Sequence, residues 1–162
     1  MSKAPDHFRL PNLLAIWGPP CLWGLAILSL SGNAGSGSNT MRLMQWLLSG
    51  FPSLTYQDIE AIHWYLRKFS HMVAYGVLYL LWFRAWKRQV PHRSGLSLKL
   101  ALLFSLVVAL LDEGYQTFFP ERTGSLADVA LDMTGAGLAA LLGPGVFGCN
   151  EKRRDQGKAT RG

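Results

Sequence analysis

The stretch "LLDEGYQTFFPERTGSLADVALDMTG", residues 110–135, sets Asp112, Glu113, Glu121, Arg122, Asp128 and Asp132 between two long apolar runs, Leu96 to Leu111 and Val129 to Phe147. Two more runs precede them, Leu13 to Leu30 and Phe69 to Phe83. A bilayer core about 30 Å thick takes about 20 helical residues. The first and fourth runs reach that length nearly unaided, whereas the second and third must extend into their charged flanks. Four solid apolar runs with little polar face would leave a soluble bundle nothing to present to water. The expected fold is therefore all-α, an integral membrane four-helix bundle with spans at about 13–31, 67–84, 96–114 and 126–147. "FFPERTGS" (118–125) is the turn of the hairpin between the third and fourth spans.

A chain of 162 residues with a net charge of +6 could suggest a nucleic-acid partner, but the charge is distributed by side. With the N-terminus cytoplasmic, twelve Lys and Arg fall inside and four outside, the latter being Arg42, Arg67, Lys68 and Arg122. Seven of the ten acidic residues fall outside. This is the positive-inside pattern, so the basic balance reads as topology and no nucleic-acid partner is expected. Both termini are placed in the cytoplasm, residues 150–162 forming a basic tail, and the location expected is the cell's inner (cytoplasmic) membrane. Lys3 and Arg9 before an apolar stretch also describe a signal peptide, but the first run is longer than a signal core, so an uncleaved first span is expected. Pro19-Pro20 should kink or restart it. Cys21 and Cys149 form no metal-like spacing and read as small buried hydrophobes.

The segment between the first two spans starts as a Gly/Ser/Asn loop and continues as "MRLMQWLLSGF" (41–51), a short interfacial helix. Thr55 and Asp58 are placed to cap a helix running on into the second span.

The short spans carry the most information. Extending the second draws Arg67 and Lys68 to the outer boundary, with His71 a turn deeper. Extending the third brings Asp112, Glu113 and Gln116 to the same depth. The fourth starts at Asp128, with Asp132 about 6 Å further in. On a helical wheel Arg67, Lys68, His71 and Tyr75 share a face, as do Asp112, Glu113 and Gln116 above Ser105, and Asp128, Asp132, Gly135 and Ala139. Gly135, Ala139 and Gly143 would let a neighbouring helix approach closely. Isolated charges in lipid cost several kcal/mol, so the expectation is one polar cluster at the outer face, with Lys68 or Arg67 offsetting Glu113, Asp128 or Asp132.

Within that cluster His71 is the best acid/base candidate, because its charge changes near neutrality. Glu113 is its candidate partner. Arg67, Lys68, Tyr75, Asp112, Gln116, Arg122, Asp128 and Asp132 are candidate ligand-binding residues, the arginines suiting a phosphate or carboxylate. His71, Glu113, Asp128 and Asp132 could gather round Zn²⁺, but no paired His or Cys spacing supports it, so no metal and no cofactor are expected. There is no nucleophile elbow and no phosphate-binding glycine loop.

"LRKFSHMVAYGVLYLL" (66–81) and "DEGYQTFFPERTGSLADVALDMTGAGLAALLG" (112–143) together resemble the VanZ-like family of small integral membrane proteins. The motif positions are Lys68, His71, Tyr75, Asp112, Glu113, Gln116, Pro120, Arg122, Asp128, Gly135 and Gly137. Asp132 stands where that pattern most often has Asn. The resemblance implies a four-span transmembrane domain over residues 1–149 and a link to the cell envelope, the founding member being associated with resistance to the glycopeptide teicoplanin. Three functions are consistent with the residues. The first is binding of a lipid-linked or peptide-like anionic envelope component among membrane lipids. The second is a membrane-embedded hydrolase or transferase using His71 and Glu113 as acid and base. The third is a structural or accessory subunit in which the cluster only locks the bundle. The oligomeric state is not specified by the sequence.

Overall fold

In the computed structural model of the protein the described residues are 10–32, 37–51, 53–118 and 124–159, with side chains described over 13–32, 37–51, 53–118 and 124–143. Arg122 and most of the 118–125 turn lie outside them. The described residues form five helices and no strand: α1 (Leu10–Leu30), α2 (Gly37–Leu48), α3 (Tyr56–Gln89), α4 (Ser94–Gln116) and α5 (Leu126–Ala159). The segments Leu13–Leu30, Ser94–Gln116 and Leu126–Gly143 are long and apolar enough to cross a membrane. The sequence led us to expect a bundle of four such spans. α3 is not among the three because His71, Arg84 and its several Tyr and Trp residues dilute the apolar run. It nevertheless packs along α5, α4 and α1, more extensively than any other helix.

α3 and α4 fit because large residues meet small ones. The buried stripe of α4 is Ser97, Ala101, Ser105 and Ala109, each one turn from the last, and it continues into Asp112, Glu113 and Gln116. Onto it pack the buried Tyr75, Leu78, Tyr79, Trp82 and Phe83 of α3, at spacings of three and four. Apolar and polar buried residues therefore segregate along the bundle. One end holds an aromatic cluster in which Trp17 meets Trp86 edge-on, ring centroids 4.8 Å apart, and Trp82 lies 4.8 Å from Phe104. The acidic end of the α4 stripe lies at the other.

The closest crossing joins α3 and α5. A Cβ built on Gly135 would lie 2.1 Å from the Met72 carbonyl oxygen, and one on Gly76 would lie 3.3 Å from the Gly135 oxygen. Further along, a Cβ on Gly143 would come within 3.1 Å of Leu80. The small face of α5 thus admits the backbone of α3 itself. At the hairpin, a Cβ on Gly124 would lie 2.5 Å from the Glu113 carbonyl, so the chain entering α5 presses directly on the end of α4.

α1 runs unbroken through Pro19 and Pro20. Two missing donors leave the rest of the ladder intact, so the helix does not restart there. Trp23 anchors it by donating from Nε1 to the Ala74 carbonyl at 3.0 Å. Cys21 is exposed on the outside of the bundle, contrary to the buried position expected, because among the described residues α1 packs on α3 and α4 and turns its remaining face outward. Cys149 lies outside the described side chains. α2 forms over much of the segment read as interfacial and packs on α3, the Thr40 hydroxyl lying 2.8 Å from His63 Nε2. Thr55 and Asp58 form the expected capping box at the start of α3. α5 extends through Ala159, into the basic tail, since Glu, Lys, Arg and Gln all sustain helix. The outward faces leave large side chains uncovered, with Leu14, Leu22, Leu141 and Leu142 each at least 68% exposed, as suits a lipid surround better than water.

Candidate functional site

His71, Asp112 and Asp132, one each from α3, α4 and α5, offer ligand atoms that all lie within 4.8 Å of one another. His71 Nδ1 is 3.3 Å from Asp132 Oδ1. Both aspartates are fully buried and the imidazole is half-buried. Each residue reaches this point for a local reason. His71 lies one turn before Tyr75 on the buried face of α3, Asp112 continues the small-residue stripe of α4, and Asp132 lies three residues before the Gly135 crossing. Tyr75, fully buried, faces Asp112. The second oxygen of Asp132, Oδ2, is buried without a hydrogen-bond partner, as is the Ser105 hydroxyl two turns below Asp112. An orphaned buried carboxylate oxygen is costly, so this centre is built for something more than apolar packing.

Around the centre lie groups with structural partners. Lys68 pairs with Asp128 across the α3–α5 interface, and its ammonium stands 5.9 Å from the Trp64 ring centroid. Glu113 accepts a hydrogen bond from the Ser125 backbone N–H at 2.7 Å, fixing the chain as it enters α5. The Gln116 amide donates to both Asp112 and Glu113 at 3.4 Å. Glu113 therefore turns towards the hairpin, while the carboxylate facing His71 is that of Asp132. Of the four carboxylates considered for the cluster, the structure pairs Asp128 with Lys68.

A cavity of about 470 Å³ opens beside the centre, between α1, α2 and α3. Ile27, Leu30, Leu43, Met44, Leu47 and Leu66 make its wall apolar, and Arg67, His63, His71 and Tyr75 supply its polar groups. Arg67 is close enough to His71 to act on it electrostatically. This cavity was not readable from the sequence. Its only signal was the apolar side of α2, which had been assigned to the membrane.

Arg67, Lys68, His71, Tyr75, Asp112, Glu113, Gln116, Asp128 and Asp132 thus all fall at one end of the bundle, with Arg122 beyond the described residues. No curated protein and no solved structure matches the chain. The family model described as VanZ/LLP1 matches residues 20–147, which is most of the chain. That span contains α2, α3 and α4 whole, α5 as far as residue 147 and all three residues of the buried His–Asp–Asp centre, so this chain belongs to the VanZ/LLP1 family.

Proposed function

We propose that this protein is a four-span protein of the cytoplasmic membrane, with both termini inside, that binds an anionic cell-envelope amphiphile at its outward end. The observation that carries this reading is the cavity between α1, α2 and α3, an apolar chamber with a guanidinium and two imidazoles on its wall. An acyl or prenyl chain fits such a wall, and a phosphate or carboxylate head fits Arg67. α3 is the fourth crossing in this reading, its ionisable residues sheltered by the helices around it. Trp46, Trp64 and Tyr65, all more than half exposed near the cavity end, lie where an interfacial aromatic belt would sit. The lopsided distribution of Lys and Arg sets the orientation. Lipid-linked envelope precursors belong to this ligand class, which connects the site to glycopeptide tolerance.

Mass spectrometry of the protein purified from membranes tests the reading. Wild-type protein should carry a bound anionic lipid. Arg67→Ala should reduce its occupancy about 10-fold or more, the effect of losing a hydrogen bond to a charged group. Unchanged lipid content in both Arg67→Ala and the cavity-filling Leu47→Trp would overturn it.

A second reading, a membrane-embedded hydrolase or transferase, draws support from the His71–Asp132 contact, since a buried carboxylate beside an imidazole orients it for acid/base work. Glu113, the partner first considered for His71, serves the hairpin in this geometry. In the third reading, an accessory subunit, the same pairings only lock the helices.

A further inference from the structure

We propose that His71, Asp112 and Asp132 form a binding site for one divalent transition-metal cation, with Zn²⁺ as the representative ion. Three observations support it independently of what the neighbouring cavity binds. The first is chemical, because one imidazole and two carboxylates are a donor set used by first-row dications, and three protein ligands leave a coordination position open.

The second is geometric. Ligand atoms held about 2.0–2.2 Å from a common ion stand roughly 3–4 Å from each other. His71 Nδ1 and Asp132 Oδ1 are already 3.3 Å apart. All three donors lie within 4.8 Å, so binding requires closure by about an ångström, within reach of side-chain rotation. Asp132 is fully buried, and its Oδ2 has no hydrogen-bond partner, so one acceptor at the centre is unused by the protein.

The third is charge. Among the described residues of the cluster, Asp112, Glu113, Asp128 and Asp132 bring four negative charges, while Arg67 and Lys68 bring two positive ones. The carboxylates thus outnumber the ammonium and guanidinium groups beside them by two. Lys68 pairs with Asp128 and Glu113 accepts from the Ser125 amide, while Asp112 and Asp132 are the two carboxylates that meet His71 at the centre, Asp112 also accepting from the Gln116 amide. Two ionised carboxylates this close in a low-dielectric interior repel strongly, and a cation bound between them relieves that repulsion, as a shared proton otherwise would. Paired spacing could not reveal this site, because its three ligands come from three helices.

The test is Zn²⁺ binding by the purified full-length protein in detergent, after chelator treatment and chelator removal. Calorimetry and elemental analysis should give one tightly held equivalent per chain, and Co²⁺ in its place should give a visible ligand-field band. His71→Ala and Asp132→Asn should each weaken binding by more than the roughly 10–100-fold lost when only an outer-sphere partner is removed. His92→Ala, at an exposed position outside the cavity, should leave it unchanged. Wild-type protein that takes up no stoichiometric Zn²⁺ or Co²⁺ would overturn the proposal, whether or not the variants accumulate. Binding that survives in both His71→Ala and Asp132→Asn would overturn it equally, showing surface adsorption.

Discussion

Gly135→Ala is expected to destabilise the protein severely, and Gly135→Leu to prevent its accumulation in the membrane. The added Cβ would lie 2.1 Å from the Met72 carbonyl oxygen and 2.7 Å from that residue's carbonyl carbon and Cα. Those are backbone atoms of a packed helix, so no side-chain rotation relieves the contact. α3 and α5 would have to part by about an ångström. Overpacking typically costs about 1–3 kcal/mol and sometimes more, and a backbone clash belongs at or beyond the upper end. The same parting would pull His71 from Asp132 and Lys68 from Asp128. Gly137→Ala on the same helix is the control. Nothing lies within 4 Å of its Cβ, and Ala sustains helix better than Gly by about 1 kcal/mol, so this variant should match or exceed wild type. Thermal unfolding in detergent checks both. A Gly135→Ala protein as stable as wild type would refute the crossing.

The second large effect concerns the ion pair between α3 and α5. Lys68 and Asp128 are about 30% exposed, so their pairing should lie between the surface and buried limits, about 1–3 kcal/mol. Lys68→Ala leaves a half-buried carboxylate without its ammonium, and Asp128→Ala strands the ammonium. The double variant strands neither. It should therefore be more stable than the two single losses would sum to, by at least about 1 kcal/mol. Strict additivity in that double-mutant cycle would show that the pair does not couple the helices.

Different physical signals made different parts of this molecule legible. The helices follow from hydropathy, and the shared depth of the polar groups follows from chain length, because short apolar runs must extend into their charged flanks. Helical spacing alone put Asp128, Asp132, Gly135 and Ala139 on one face. Which group meets which was not legible, since it depends on the rotation of whole helices about their axes. Lys68 had three possible acidic partners by depth, and Asp128 meets it because that residue opens α5 beside Lys68 at the α3–α5 interface. Glu113 looked like a partner for His71, yet the tight approach at Gly124 delivers the Ser125 amide to it instead. The cavity behind α2 required tertiary packing that no local pattern encodes. α3 shows the limit of hydropathy: a helix surrounded by others can carry Tyr, Trp and His where a lipid-facing helix would carry Leu.

The most direct test of the convergence of α3 and α5 is cross-linking in native membranes. Lys68→Cys and Asp128→Cys would be combined in a background with Cys21 and Cys149 replaced by Ser. A protease site placed in the 118–125 turn would separate the halves. With a short bifunctional thiol reagent, the cleaved halves should remain joined in the 68/128 pair. They should separate in a control pair at Tyr65 and Leu141, two exposed positions on α3 and α5, roughly 20 Å apart along the helix axes. Halves that separate in the 68/128 pair while both cysteines react with a monofunctional reagent would contradict the cluster on which the site rests.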